Sequence, residues 1–302
     1  MKHLPCQLIA WLLILPACLF TGAVSATEAE LKEQPTEANP GKGDITETPK
    51  KEAKNPEGET AQKIESPFPK EDGSIDLPAV VKHFEDLYRS ESSTSTVEMT
   101  VVRPRRERSL TMKIWTRGDE KALVVIQAPP REKGTATLKV EDNLWNYLPR
   151  IKRTIRIPPS MMQSAWMGSD FTNDDLVRES SYSEDYDYEL VGPSKEPEGW
   201  LVRFTAKKGV VGLWERFDLV VSKDGTLPIT SKWYNRKGEL ARVMTWDRVK
   251  VLDGKRLPAR MTLVPKDKDE EGHKTVMTYM EIDFDVDLPA STFSLSRLER
   301  QR

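Results

Sequence analysis

Cysteine is nearly absent: Cys6 and Cys18 are the only two among 302 residues, and both fall in the apolar start of the chain. Removal of that start would leave no thiol, which excludes a disulfide framework and a cysteine-ligated metal. Histidine is scarce as well. Of His3, His83 and His273, the last two have no second His, Cys or clustered carboxylate at ligand spacing, so zinc is not expected. No G-x-S-x-G turn is present to expose a serine, and a Ser-His-Asp hydrolase therefore finds no support. Charge of one sign is missing too: from residue 74 onward there are 38 basic and 36 acidic residues, with no sustained basic stripe. Nucleic acid is not an expected partner, because Arg and Lys would then cluster on one face.

What is present begins with Lys2 and His3, an apolar run over residues 8–20, and the small residues Val24-Ser25-Ala26. This pattern predicts a secretory signal peptide over residues 1–26, since the run falls short of the ~20 residues a membrane-spanning helix needs. A second reading takes Leu15-Pro16-Ala17-Cys18 as a lipobox, with Cys18 acylated after cleavage. Residues 27–73 contain 12 acidic and 7 basic residues, repeated Pro, and only Leu31, Ile45, Ile64 and Phe68 as large apolar groups. That composition predicts a disordered linker, because it cannot bury enough to offset the entropy of ordering. Residues 74–302 are long enough to enclose one sizeable core.

Within that part, Asp76 can cap a helix whose first turn accepts Pro78 and whose apolar face is Val80, Val81, Phe84, Leu87 and Tyr88. From Ser93 the apolar period changes to two, as in Val97, Met99 and Val101, then Leu110, Met112 and Ile114. Turn signals recur at Arg117-Gly118-Asp119, Glu132-Lys133-Gly134, Lys223-Asp224-Gly225, Arg236-Lys237-Gly238, Leu252-Asp253-Gly254 and Glu271-Gly272. Their spacing leaves no room for crossover helices, so an antiparallel meander is predicted. Several strands are apolar on both parities, for example Val276, Met280, Ile282 and Phe284 against Met277 and Tyr279. Both faces of the sheet must then be covered or must line a cavity. A long sheet curling around two helices would satisfy this, and so would an ordinary two-layer core.

Residues 144–176 interrupt the meander. Ile151, Ile155 and Ile157 share one parity and Arg150, Lys152 and Arg156 the other, which a strand would place on opposite faces. Pro158-Pro159 ends pairing. Met161, Met162, Trp166, Met167 and Phe171 follow, a soft apolar group suited either to a movable lid over variable apolar cargo or to a fixed core plug. Trp145 and Tyr147 line the mouth of such a cavity if alternation continues into Ile151; a turn near Pro149 would break it. Arg150, Lys152, Arg153 and Arg156 form a basic face able to meet a lipid phosphate, an acidic protein or an anionic membrane, or simply to be solvated. The run Arg103-Pro104-Arg105-Arg106-Glu107-Arg108 reads as a solvated hairpin tip. Asp170 or Asn173 can cap a short helix through Leu176 and Val177. The adjacent Asp174 and Asp175 suit a helix cap better than a catalytic pair, because neighbouring side chains on a helix diverge.

The run LWNYLPRIKRTIRIPPS with WMGSDFTNDDL, and the terminal FDVDLPASTFSLSRLER, resemble the LolA-like outer-membrane lipoprotein-sorting family over residues 75–302. The resemblance implies a mainly β, α+β fold: a curved antiparallel sheet forming an incomplete barrel, with helices in its concave opening. It further implies a non-enzymatic periplasmic carrier without cofactor or metal, binding acyl chains of lipoproteins or other lipids, with transient membrane contact and an inner-membrane transporter as partner. Sensors of envelope stress share the fold, so a sensor or adaptor working with a membrane partner is the alternative. The familiar carrier latches its lid with an arginine, but the resemblance alone assigns that arginine to no position here.

Overall fold

The computed structural model describes residues 75–178, 182–210 and 214–300, all within one compact unit spanning residues 61–302. The expected signal peptide, the lipobox and the linker up to residue 73 lie outside the described residues.

The first element is α1 (Leu77–Asp86). Asp76 caps it, its carboxylate accepting the Ala79 N–H at 3.2 Å, and Pro78 occupies the first turn, where no intrahelical donor is lost. Six strands follow: β1 (Ser92–Arg103), β2 (Arg106–Arg117), β3 (Lys121–Ala128), β4 (Ala136–Val140), β5 (Asn143–Leu148) and the short β6 (Arg153–Arg156). A connecting segment contains 3-10 turns at Pro159–Met161 and Trp166–Gly168, then α2 (Asn173–Arg178) and α3 (Tyr182–Asp185). The second wing comprises β7 (Tyr186–Lys195), β8 (Glu198–Ala206), β9 (Trp214–Val221), β10 (Pro228–Asn235), β11 (Leu240–Leu252), β12 (Lys255–Pro265) and β13 (Lys274–Phe284). A 3-10 turn at Ala290–Phe293 and α4 (Leu295–Leu298) close the described chain.

All pairings are antiparallel, in the order β6-β5-β4-β3-β2-β1-β13-β12-β11-β10-β9-β8-β7. The chain thus enters the sheet at its middle, runs to one edge, crosses to the other, and returns until β13 pairs with β1. The result is a curved, open sheet of thirteen strands, an incomplete barrel rather than a closed one, with α1, α2 and α3 against one face. Each of the six turn signals falls between consecutive strands, where Gly118, Gly134, Gly225, Gly238, Gly254 and Gly272 adopt positive φ.

The main core lies on the face that carries α1 and the crossing segment. Val80 and Val81 meet Val97, Met99, Leu110, Met112, Phe204, Phe217 and Trp246 there. A smaller cluster on the opposite face packs Phe293 and Leu298 of the C-terminal tail on Leu123, Val125 and Leu138. Neighbouring residues of β3, Val124 and Leu123, therefore serve different cores, as expected of a strand covered on both sides.

The double apolar parity of β13 has a more particular cause. A register shift falls between Thr96 and Val97 of β1, which pair with Glu281 and Tyr279, leaving Met280 as the extra residue of a bulge. Tyr279 and Ile282 are consequently brought to the same face, opposite Val97 and Ser95, while Met280 is exposed. Ile282 and Phe284 then join Leu87, Leu227 and Leu257 at one end of the helix-bearing face.

Candidate functional site

The crossing segment from β6 to β7 lies over the main core as a cover, and its backbone is closed upon itself. Ala165 bridges to Thr172, the Trp166 N–H donates to the Phe171 carbonyl at 2.7 Å, and Asp174 N–H donates to the Met162 carbonyl at 2.8 Å. Met167 and Gly168 both take positive φ, 51° and 68°, which gives the sharp turn that drops Trp166 inward. Trp166 and Phe171 are buried in the main core and Met167 is partly buried against it. The indole N–H of Trp166 donates to Thr137 Oγ1 at 3.0 Å, and that hydroxyl donates to Asn146 Oδ1 at 2.7 Å. A buried tryptophan needs such a partner for its N–H.

Of the five soft residues read together in the sequence, all lie in the cover but only Trp166, Met167 and Phe171 reach the main core. Met162 is half-buried and Met161 is 46% exposed, facing away from the core. Trp145 and Tyr147 are a correction. They pack on the opposite face with the Phe293 and Leu298 cluster, because residues 149–152 form a turn and alternation does not continue into Ile151. The strand expected over residues 150–157 shrinks accordingly to β6, with Arg150 and Lys152 in the hairpin turn and Arg153 and Arg156 on the edge strand.

Polar contacts hold the cover to the sheet. Arg103, at the end of β1, places Nη2 at 2.9 Å from Asp170 Oδ1 and donates to Asp170 Oδ2 at 3.2 Å and to the Gly168 carbonyl at 3.1 Å. Thr275 on β13 donates its hydroxyl to the same carboxylate at 2.6 Å and accepts the Asp170 N–H at 2.9 Å. Arg108, at the start of β2, donates to the Met167 carbonyl and to Glu132. The basic run at residues 103–108 is therefore no solvated tip throughout. Only Pro104 and Arg105 form the turn, while Arg103 and Arg108 stand on the strands that flank it and reach the cover. Their positions just outside the turn were the available signal.

The far end of the cover is held by α2. Thr172 caps this helix, with reciprocal bonds between Thr172 and Asp175 at 2.8 to 3.1 Å. Asp175 also receives two parallel bonds from Arg242 on β11, at 2.8 and 2.9 Å. The guanidinium lies 4.2 Å from the Trp214 ring centre and 4.7 Å from that of Trp233. Burial pushes the Asp175 carboxyl up, but the Arg242 charge and the hydrogen bonds from Arg242 and Thr172 outweigh it and hold it below the usual carboxylate range.

Beneath α2 and α3 the sheet presents an aromatic row. Phe204, Phe217 and Trp233 on β8, β9 and β10 stack at 4.3 and 4.1 Å between ring centres. Tyr182 of α3 stands edge-on to Phe217 at 5.1 Å and stacks on Phe84 of α1 at 5.6 Å.

Near the Arg103 contact the expectation that His273 has no carboxylate at ligand spacing is corrected: Glu270, three residues before it, and the distant Asp170 meet it there. Asp170, Glu270 and His273 bring ligand-type atoms within 4.8 Å of one another. Burial raises the Glu270 carboxyl, as do the charges of Asp267 and Asp170, against opposing effects of His273 and Arg103. Within this group Asp170 is paired with Arg103. His83 has a structural partner, its Nε2 lying 2.9 Å from the Thr226 carbonyl oxygen.

Comparison with known proteins adds the family. A family model described only as an uncharacterized-protein-like family matches residues 118–300. The chain belongs to that family, and its fold is LolA-like. Among solved structures, a LolA superfamily protein from Nitrosomonas europaea aligns with a TM-score of 0.62 at 19% identity, covering 74% of this chain and 100% of that one. A domain named for outer membrane lipoprotein sorting, from Vibrio parahaemolyticus, gives 0.63 at 22% identity over 74% of this chain and 97% of its own. A DUF1329 family protein from Desulfovibrio piger gives 0.65 at 24% identity over 73% and 96%. These likenesses establish the LolA-like architecture. No curated protein matches.

Proposed function

We propose that the protein is a carrier that holds an acyl chain against the apolar face beneath the cover formed by Trp166, Met167, Phe171 and α2, and that the cover opens to admit it. The observation that carries this reading is the way the cover is held. Its apolar side chains complete the core, while its attachment to the strands runs through Arg103, Arg108, Arg242 and Thr137, polar contacts that can be exchanged one at a time. A plug meant to stay would gain little from so many charged fasteners, since charge pairs out of water return a small net stability. Burying a chain offers about 0.8 kcal/mol per methylene, enough for a partly enclosed acyl group to cross water.

The names of two fold relatives, LolA superfamily and outer membrane lipoprotein sorting, agree with an acyl cargo and a periplasmic setting. No described helix is long and apolar enough to cross a membrane. Binding is tested by extracting lipids from the purified protein for mass spectrometry and by titrating a fluorescent fatty acid. The absence of both a co-purifying acyl species and saturable fluorescence would end the proposal. The sensor or adaptor reading separates in a transfer assay, in which a carrier moves labelled lipid between two vesicle populations and a sensor binds without delivering.

A further inference from the structure

We infer that the β5–β6 hairpin tip and the β6 edge form a docking surface for an anionic phospholipid bilayer. Three large apolar side chains are exposed within eleven residues there: Ile151 at 57%, Ile155 at 42% and Met161 at 46%. Four cations, Arg150, Lys152, Arg153 and Arg156, are interleaved with or flank the two isoleucines, and all four are exposed. None forms an ion pair in the described structure, and the one polar partner among them is the side-chain amide of Asn143, which receives a bond from Arg156. Elsewhere the arginines that matter to the fold are matched with carboxylates, as Arg203 is with Asp218, Arg242 with Asp175 and Arg260 with Asp247.

The geometry favours a membrane over water or a protein strand. β6 is the outer strand of its wing, so its free side faces solvent. Charges alone would protect such an edge from strand addition, and exposed isoleucines would defeat that purpose. An interface of lipid headgroups accepts both, with apolar side chains entering the acyl boundary while cations meet phosphates. Arg153 and Ile155 pair with Leu148 and Asn146, whereas Thr154 and Arg156 pair with Tyr147 and Trp145 of the opposite face. Ile155 therefore lies on the side of the sheet that carries the cover, and Met161 belongs to the cover's own first turn. The surface leads directly into the segment that would move during loading. The inference does not depend on what the apolar face carries, and its test contains no cargo.

The test is flotation of the full chain with vesicles of phosphatidylcholine alone or mixed with phosphatidylglycerol. Residues 8–20 are themselves apolar, so the deciding comparison is between the parent and variants of the same full chain. The parent is expected to partition about tenfold more into the anionic vesicles, less so at high salt. An Ile151→Ser, Ile155→Ser pair and an Arg150→Glu, Lys152→Glu pair should each lose most of that preference, with unchanged melting temperature because all four sites are exposed. Lys237→Glu, in the β10–β11 turn, should keep it. An Ile155→Trp variant should be quenched by lipids brominated on the acyl chain. Equal partition of parent and both tip variants, or absence of quenching, overturns the inference. So does tip-dependent binding to an acidic protein without vesicle binding.

Discussion

Arg242 grips Asp175 through two parallel hydrogen bonds while its guanidinium lies over Trp214 and Trp233, so one β11 side chain ties α2 to the aromatic row beneath it. The Arg242 side chain is 7% exposed and that of Asp175 15%. Replacing Arg242 by Met preserves much of the packing yet leaves a buried carboxylate without its counter-charge. Urea unfolding of Arg242→Met should show a loss of about 3–5 kcal/mol. A loss within error of zero would mean that the carboxylate escapes to solvent when unpaired.

The same pair fixes the sign of an acid response. The Asp175 carboxyl is held below its unfolded value, so its contribution to stability is fully present above the unfolded value and is lost as pH falls through the folded one. Melting temperature should therefore drop more steeply on acidification in the parent than in Asp175→Asn, which has already lost the contribution. Parallel curves for the two proteins would show that other carboxylates set the acid limit.

Arg103 and Arg108 should govern how often the cover opens. Charge-assisted bonds contribute about 1.5–3 kcal/mol each, so Arg103→Ala should speed hydrogen exchange of the cover amides, such as Trp166 and Ser169, by about tenfold or more. The β11–β12 amides should not change. Arg108→Ala should act in the same direction through the Met167 carbonyl. Uniform acceleration across the sheet would instead mark these arginines as general stabilisers.

Leu298 tests the second core. It is fully buried against the β3–β5 face through the cluster it shares with Phe293. Leu298→Ala should cost about 2–5 kcal/mol in denaturant unfolding, depending on how far the tail collapses into the space. On the proposed carrier reading, fatty-acid binding should survive, because this cluster lies on the far side of the sheet from Trp166. Loss of binding by the variant under conditions where it is still folded would contradict that separation.

Much of the fold was legible in local chemistry. Asp76 and Pro78 announced α1, and the six glycine turns set the hairpins, because both signals act within a few residues of where they are read. The arrangement of the cover was less legible for the opposite reason. Arg103 finds Asp170 and Arg242 finds Asp175 across long stretches of chain, and nothing near an arginine says which carboxylate will arrive. Parity failed at Trp145 and Tyr147 for one physical cause, the turn at residues 149–152 that reverses the chain before Ile151. At β13 the bulge at Met280 made one covered face resemble two.

The strand order also constrains how the protein is assembled. Every pairing within β1–β6 and within β7–β13 joins strands consecutive in the chain, so each wing can zip from short loops. The seam between β1 and β13 is different, setting Ser93 opposite Phe284 and closing a loop that contains nearly the whole domain. A chain produced from its N-terminus completes the first wing well before its partner exists, and must keep the face bearing Met99, Leu110 and Met112 from aggregating until then. The last strand therefore acts as the closing stitch, and folding of the two halves into one sheet waits for its arrival.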